Sequence, residues 1–442
     1  MSGRRLIVLL LVLAAVAVPA GVLRAMCAGN SCDRTGASTS RVPFCPLPDA
    51  LKQAIADGFR EGRSPDVLAV TNGRAIAGGS DPANALVPWP GIGSAHTLGV
   101  PIAFRGTGVD QGAAVPDGTG LDQVAPTIAA ALGFDRPFPE VRAGVAVEGV
   151  ASGGRPRLVL VVALKGVGTA DVADRASWPF LRSLLREGVG TKDGTTGSLP
   201  LDPAATLATL GTGGLPSQHG ITGTFIRNDD GAVVRAFGPD APVTVIATLA
   251  EDLDEANAQR SEIGLVATDA TDRGLVGGDW YPSHDRDAVA IAREGGEPAA
   301  ASRILARGFG ADDVPDLLGV VLARGADQDE RLREVVDAAE RASGGSLLVA
   351  VAGTGENGIV TGPTSLSANA ILAQVEDAVP GPASVVAEAV AGGLFLDQAV
   401  LSEQEITGQV AVDALLAAEG PEGERMMADA FQGFAVSFAR YC

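Results

Sequence analysis

The 442-residue chain has few histidines and cysteines and a deficit of positive charge, and these shortages argue against two classes of protein. Three histidines and four cysteines, without the CxxC or CxxH spacing of a zinc site, argue against a zinc domain. Lys and Arg together number 33 against 53 acidic residues, so the formal net charge is −20. Nucleic acid binding requires clustered positive charge, so no nucleic-acid partner is expected. Hydrophobic residues make up 46% of the chain, which predicts a buried core.

The N-terminus carries a long uncharged run, Leu6 to Leu23, that follows Arg4 and Arg5. The run is long for a signal peptide and just long enough to span a bilayer, so residues 1–25 are predicted to be a signal peptide or a membrane anchor. We expect the rest of the protein outside the cytoplasm, either secreted or anchored to the cytoplasmic membrane. Residues 26–48 are rich in Ser, Thr, Gly and Pro and predict a tether.

Alternating apolar runs and amphipathic segments predict an α/β fold with a doubly wound, mostly parallel sheet and helices on both faces. The run "LVLVVAL" (158–164) is apolar throughout, as in a strand buried on both faces. Helices are predicted over 49–61, capped by Asp49, and over 178–187, capped by Ser177. Further strands are predicted at 66–71, 100–106, 262–268, 288–292, 317–323, 346–353 and 392–398.

Three stretches carry a resemblance to a known family: the strand "LVLVVALKG", the run "WPFLRSLLREGVG" and, most specifically, "TGGLPSQHGITG" at 212–223. They resemble the alkaline phosphatase superfamily, in its type I phosphodiesterase/nucleotide pyrophosphatase branch. The stretch "SLLVAVAGTGEN" (346–357) falls where that family has a strand ending in Ala-Asp-His-Gly. The resemblance implies an alkaline-phosphatase-like fold and a site for two divalent metals, zinc or manganese, roughly 4 Å apart.

The closing part of the same family resembles residues 49–144, which come first in this chain. Here "GSAHTLGVPIAFRG" and "LDQVAPTIAAALG" are similar to the family's metal histidine, a strand and a last helix. The resemblance therefore implies a circular permutant, in which 145–156 connect the former termini and 157–364 match the N-terminal part of the fold. Residues 365–442 are expected to complete it as a small appended α+β subdomain.

The permuted order also implies a disulfide. All four cysteines follow the apolar run, and in an oxidising compartment three pairings are open from the count alone. Permutation would make residues near 45 and 442 neighbours, so it implies a Cys45–Cys442 bridge, with Cys27–Cys32 as a local loop.

When the chain is matched to the family position by position, it differs at the metal-ligand and nucleophile positions. Lys165 stands in the place of the first-strand metal aspartate, and Pro203 in the place of the nucleophilic Thr or Ser. Gly353 and Thr354 replace the Asp-His pair. Only His96 matches a ligand position. One imidazole cannot hold two dications, and proline has no hydroxyl, so the resemblance implies that the catalytic residues are lost.

A set of polar residues forms the candidate remnant of the site: His96, Lys165, Asp202, Thr206 and Asp327. Asp202 and Pro203 are good residues for the N-cap and first turn of a helix, so the carboxylate would satisfy the N–H groups that once received phosphate. His219 matches a turn residue of the family. Ser283-His284-Asp285 is contiguous, which excludes the geometry of a hydrolase triad.

The sequence therefore favours a non-catalytic binding or structural component of the cell envelope, without a cofactor. Two alternatives stay open. One is a metal-dependent phosphoric-ester hydrolase in which Asp202, Thr206, Asp327 and His96 are recruited differently. The other is metal-free binding of a small anionic ligand at Lys165. The expected partner is an unknown envelope protein or that anion, with membrane contact through the N-terminal segment if it is uncleaved.

Overall fold

The computed structural model describes residues 42–72, 89–92, 98–173, 176–277, 280–281, 288–355, 368–379, 383–420, 423–438 and 442. Pro43–Cys442 forms one compact unit, to which every element below belongs; of the separate unit Met1–Val42 only Val42 is described. The predicted leader, most of the tether, and Cys27 and Cys32 therefore lie outside the described residues. No helix in the described ranges is long and apolar enough to cross a membrane.

Strands and helices alternate along most of the chain. The strands are β1 (Val67–Thr71), β2 (Gly99–Gly106), β3 (Leu158–Leu164), β4 (Val189–Thr195), β5 (Phe225–Arg227), β6 (Val233–Arg235), β7 (Ile263–Ala267), β8 (Ala288–Ile291), β9 (Asp316–Leu322), β10 (Leu347–Gly353), β11 (Val386–Val390), β12 (Gly393–Leu396) and β13 (Met427–Gln432). The helices are α1 (Asp49–Gly58), α2 (Val124–Leu132), α3 (Thr169–Ala173), α4 (Pro179–Glu187), α5 (Pro203–Thr212), α6 (Pro216–His219), α7 (Leu249–Ala256), α8 (Glu297–Leu305), α9 (Gln328–Ala342), α10 (Ala368–Ala378), α11 (Gln398–Glu403), α12 (Gln409–Ala417) and α13 (Phe434–Ser437).

The larger sheet has seven strands in the order β4-β2-β10-β3-β9-β7-β8. Strands β10, β3, β9, β7 and β8 run parallel to one another, whereas β2 is antiparallel to both of its neighbours. The central strands β3, β9 and β10 are buried at every residue. Apolar side chains on alternate positions of β3 enter two separate cores, one with α2, α5 and α7 and the other with α4, α8 and α9. The predicted doubly wound, mostly parallel α/β fold is confirmed.

A second, four-stranded antiparallel sheet has the order β11-β12-β1-β13 and packs against α10 and α12. Three of its strands come from the predicted α+β subdomain, residues 365–442, but β1 comes from the segment 49–144. One face of β1, with Val67 and Ala69, packs in this core, and the other, with Leu68 and Val70, packs against α1. The smaller layer is therefore built from both ends of the chain.

Two predicted helix caps are wrong, and a contact from a distant segment explains one of them. The N-cap of α1 is Pro48, and Asp49 in the first turn instead pairs with Lys52 at 2.9 Å. The N-cap of α4 is Trp178 rather than Ser177. The N–H groups of Phe180 and Leu181, in the first turn of α4, donate to the carboxylate of Asp329 on α9, each at 2.8 Å. A side chain 149 residues away thus caps this helix, and the local sequence carries no signal of it.

The two ends of the compact unit are covalently joined. Cys45 and Cys442 form a disulfide across a sequence separation of 397, which confirms the predicted pairing. Beside it, the ring of Phe44 packs edge-on against Phe431 of β13, with ring centroids 5.1 Å apart. Phe44 N–H also donates to Asp429 of the same strand at 2.8 Å. The segment around Phe44 and Cys45, at the start of the compact unit, is therefore fixed to β13, its last strand.

Candidate functional site

The candidate site lies at the edge of the large sheet where the parallel strands end. The register aligns Leu164, the last residue of β3, with Gly353 of β10 and with Leu322 of β9. Lys165, Thr354 and the loop that leads to α9 consequently follow three neighbouring strands at the same edge. Ligands of open α/β sheets bind at this edge, and the resemblance implies the metal ligands here.

The Lys165 ammonium group is paired inside the protein. Its Nζ lies 2.5 Å from Oδ1 of Asp272 and donates to Oγ1 of Thr268 at 2.8 Å. The side chain of Lys165 is 18% exposed and that of Asp272 is 0% exposed. The second carboxylate oxygen, Oδ2, accepts from Thr268 N, Thr268 Oγ1 and Asp269 N at 2.8, 2.8 and 3.0 Å. A buried carboxylate thus neutralises the ammonium group at the end of β3, where the resemblance implies the family's metal aspartate.

Asp272 is the principal residue that sequence reasoning missed. It lies in the 3₁₀ turn Ala270–Leu275 that follows β7, two strands from β3. A signal was present: Asp269 and Asp272 have the three-residue spacing of a capping box, directly after a predicted strand. Because β7, β9 and β3 are parallel neighbours, the end of β7 lies at the same edge of the sheet as Lys165.

Gly353, where the resemblance implies the family's second aspartate, has no room for a side chain. A Cβ added to Gly353 would lie 2.2 Å from the carbonyl oxygen of Val167 and 2.8 Å from Cδ of Pro101. Thr354, where the resemblance implies the metal histidine, is 3% exposed, and its Oγ1 accepts from Gly166 N at 3.0 Å. The loops after β3 and β10 therefore contact each other directly.

The N-terminus of α5, where the resemblance implies the family's nucleophile, is capped by a side chain of this protein. Asp202 is the N-cap and Pro203 lies in the first turn, which confirms both predictions. The Oδ1 atom of Asp202 accepts from Ala204 N at 2.9 Å and from Thr224 Oγ1 at 3.1 Å. Thr206 Oγ1 donates to the backbone carbonyl of Asp202 at 2.9 Å. Burial raises the pKa of Asp202, although these hydrogen bonds oppose the rise.

The last of the described remnant residues, Asp327, lies apart from this arrangement. It precedes α9 without capping it, and its Oδ1 accepts from Arg331 Nε at 2.9 Å. Arg331 also forms a buried ion pair with Glu297 at 2.6 Å. The Asp327 side chain is 56% exposed. His96 and the Ser283-His284-Asp285 stretch lie outside the described residues.

The residues that the structure describes do not fit a pair of divalent metals. An ammonium group lies where the resemblance implies one ligand, and backbone crowding at Gly353 leaves no room for a carboxylate where it implies another. In the described part of the chain, no three His, Cys, Asp or Glu side chains are grouped so that they could hold a metal ion. Two bridged dications require several anionic and imidazole ligands, and this donor set does not supply them.

His219, at the end of α6, is a buried structural residue, as its match to a family turn residue implies. Its side chain is 0% exposed; Nδ1 accepts from Ile221 N at 3.1 Å, so Nε2 carries the proton and donates to Thr209 Oγ1 at 3.1 Å. Burial, with a smaller contribution from Arg60, lowers the pKa of His219 to about 3.

This burial predicts acid sensitivity. Because the folded-state pKa lies below the unfolded value of about 6.5, the neutral ring stabilises the fold fully above pH 6.5, and this contribution is lost as the pH falls toward 3. Between pH 8 and pH 5 the loss is about 2 kcal/mol. Urea unfolding of wild type and His219→Gln at both pH values checks it, since the free-energy gap between the two proteins should narrow by that amount. An unchanged gap contradicts the assignment.

Comparison with known proteins agrees with part of this account. A family model described as type I phosphodiesterase / nucleotide pyrophosphatase matches residues 159–260, from β3 through α7. No curated protein and no solved structure matches the chain. The matched range includes Lys165, Pro203 and the "TGGLPSQHGITG" stretch, and the seven-stranded sheet is consistent with an alkaline-phosphatase-like fold. Residues 159–260 are thus similar to the type I phosphodiesterase/nucleotide pyrophosphatase branch of the alkaline phosphatase superfamily.

Proposed function

We propose that this protein is a non-catalytic relative of the type I phosphodiesterases that serves as a binding or structural component of the cell envelope. The Lys165–Asp272 ion pair carries the proposal. In an enzyme of this family a metal cation would bind beside a carboxylate at this strand end. Here the Lys165 ammonium group takes the place of the metal cation, and Asp272, in the turn after β7, supplies the buried carboxylate. The local charge is therefore balanced without a metal.

The hydroxyl groups near the N-terminus of α5 support the same conclusion independently. Phosphoryl transfer through a covalent intermediate requires a hydroxyl at the helix N-terminus. Pro203 has none, and Thr206 is 5% exposed, with its hydroxyl already donating to the Asp202 carbonyl. Asp202 satisfies the N-terminal N–H of α5 that would otherwise receive an anionic oxygen.

We further propose that the chain is a circular permutant of the family fold. The segment 49–144 supplies β2, which lies between β4 and β10 within the large sheet. The family match begins downstream of this segment, at residue 159. The Cys45–Cys442 bridge supports the proposal because it links two points that would be consecutive in the unpermuted order.

The proposed location is outside the cytoplasm, with the N-terminal segment either cleaved or retained as an anchor. The disulfide supports it, since such bonds persist in oxidising compartments. The partner we favour is another envelope protein. An anion at Lys165 would have to displace Asp272, which already pairs with the ammonium group at 2.5 Å.

Hydrolysis of bis-p-nitrophenyl phosphate tests the loss of catalysis. With zinc or manganese added, wild type and Lys165→Ala are expected to give the same rate as buffer alone, because neither has a nucleophile or a metal pair. Turnover that copurifies with the protein, and that EDTA and His96→Ala both abolish, would establish the metal-dependent hydrolase instead.

A further inference from the structure

A second concave site lies at the opposite end of α5 from Asp202. It is a cleft of about 430 Å³, within the range of about 300–1,000 Å³ typical of ligand sites. Phe138 and Trp280 on its walls are 69% and 40% exposed, in a chain with 4% aromatic residues. Val141 and Val245 extend the same apolar surface. Exposed aromatic side chains gathered around a concavity are typical of a binding site.

A buried charge network fixes the floor of the cleft. Arg136 Nε and Arg142 Nη2 both donate to Oδ2 of Asp252, at 2.8 and 3.1 Å. The same two side chains donate to the carbonyl oxygen of Thr212, the last residue of α5, and to that of Ala247. Each of the three charged side chains is at most 5% exposed. The floor is therefore rigid and leaves little freedom to collapse into the cleft.

The same network positions the aromatic walls. Arg142 Nη1 donates to the carbonyl oxygens of Pro137 and Phe138 at 2.6 and 3.0 Å. Phe138 has a φ of +50°, a left-handed conformation that bulky residues rarely adopt and that is costly to maintain. Trp280, also in the lining, donates its N–H to Oε1 of Glu251, the residue next to Asp252, at 2.8 Å. A strained backbone that holds a phenyl ring in solvent is the kind of outlier found at functional sites.

The charge balance of the cleft is positive, against a net charge of −20 for the chain. Two guanidinium groups, those of Arg60 and Arg142, line the cleft together with one carboxylate, that of Asp252. Arg60 Nη1 donates to the carbonyl oxygens of Ser217 and Gln218 at 2.8 and 3.1 Å. Within the described ranges, its Nε and Nη2 have no partner. The cleft thus combines an apolar wall with an unused cationic donor.

We propose that this cleft binds a small amphipathic anion, with an aromatic or branched apolar body and one sulfonate or carboxylate group. The apolar body packs between Phe138, Trp280 and Val245, and the anionic group pairs with Arg60. The proposal is independent of whether the sheet edge near Lys165 is catalytic, because the two sites lie at opposite ends of α5.

Two fluorescent probes test it: 8-anilinonaphthalene-1-sulfonate, which is such an anion, and N-phenyl-1-naphthylamine, its uncharged analogue. The full chain is expected to bind the sulfonate saturably at one site. Phe138→Ala and Trp280→Ala should each weaken binding of both probes about tenfold, because both lose stacking area. Arg60→Gln should weaken the sulfonate about fivefold and leave the uncharged probe unchanged, because only the charged hydrogen bond is lost.

Phe434→Ala is the matched control: its side chain is 56% exposed and lies outside the cleft, so binding should stay within about twofold of wild type. An unfolding midpoint close to that of wild type verifies that each variant is folded. Three results would overturn the proposal: no saturable binding, sulfonate binding that survives both aromatic substitutions, or equal weakening of the two probes by Arg60→Gln.

Discussion

Asp272→Ala is expected to destabilise the protein by about 4 kcal/mol, the cost of removing one partner from a buried ion pair. The substitution strands the Lys165 ammonium group, which is 18% exposed. It also leaves Thr268 N and Asp269 N without their acceptor at the end of β7. In both cases a buried polar group keeps its desolvation cost but no longer has a partner. The expected effect is large for this reason. Equilibrium unfolding in urea measures it.

Asp313→Ala is the control for this experiment, because Asp313 pairs with Arg157 at 2.8 Å on the surface, with side chains 90% and 45% exposed. Exposed pairs contribute about 0–1 kcal/mol, so this variant should unfold close to wild type. If Asp272→Ala costs no more than Asp313→Ala, the Lys165 amine is solvated rather than paired, and the explanation of the altered strand end is wrong.

Loss of the Cys45–Cys442 bridge is the second large expected effect. The bond closes a loop with a sequence separation of 397, and the unfolded chain gains the most entropy when so long a loop is opened. The Cys45→Ser/Cys442→Ser variant is therefore expected to lose about 4 kcal/mol of unfolding free energy. Thermal or urea unfolding without reductant measures the difference.

Cys27→Ser/Cys32→Ser is the matched variant for the disulfide experiment. The predicted Cys27–Cys32 loop lies outside Pro43–Cys442, so its removal should leave the unfolding of that unit unchanged. Equal destabilisation by the two double variants would contradict the stabilising role assigned to the Cys45–Cys442 bridge. Reduction of wild type with dithiothreitol should reproduce the effect of Cys45→Ser/Cys442→Ser.

Strong local patterns made the central sheet predictable from sequence. The run at 158–164 is apolar throughout because β3 is covered on both faces, and its predicted bounds equal the observed ones. Asp202 was predicted as an N-cap because the cap, the proline and the helix are contiguous. The Cys45–Cys442 pairing was accessible for another reason, since it followed from the family resemblance and its reversed segment order.

What the sequence could not supply depends on contacts between distant segments. Asp272 reaches Lys165 only because β9 alone separates β7 from β3 in the sheet. The crowding at Gly353 arises from the backbone of Val167 in another loop. The cleft depends on Phe138 and Trp280, which are more than 140 positions apart. Arg142 holds the backbone at Phe138, and Glu251 holds that at Trp280. Local secondary-structure propensity does not predict such packing between distant segments.

Metal content after purification tests the central claim most directly. Elemental analysis by inductively coupled plasma mass spectrometry of the full chain, dialysed with and without added zinc and manganese, should find well under one metal per chain. We expect this because the Lys165 ammonium group occupies the strand end and pairs with Asp272. About two tightly held divalent metals per chain, retained on repurification and lost in His96→Ala, would contradict the account.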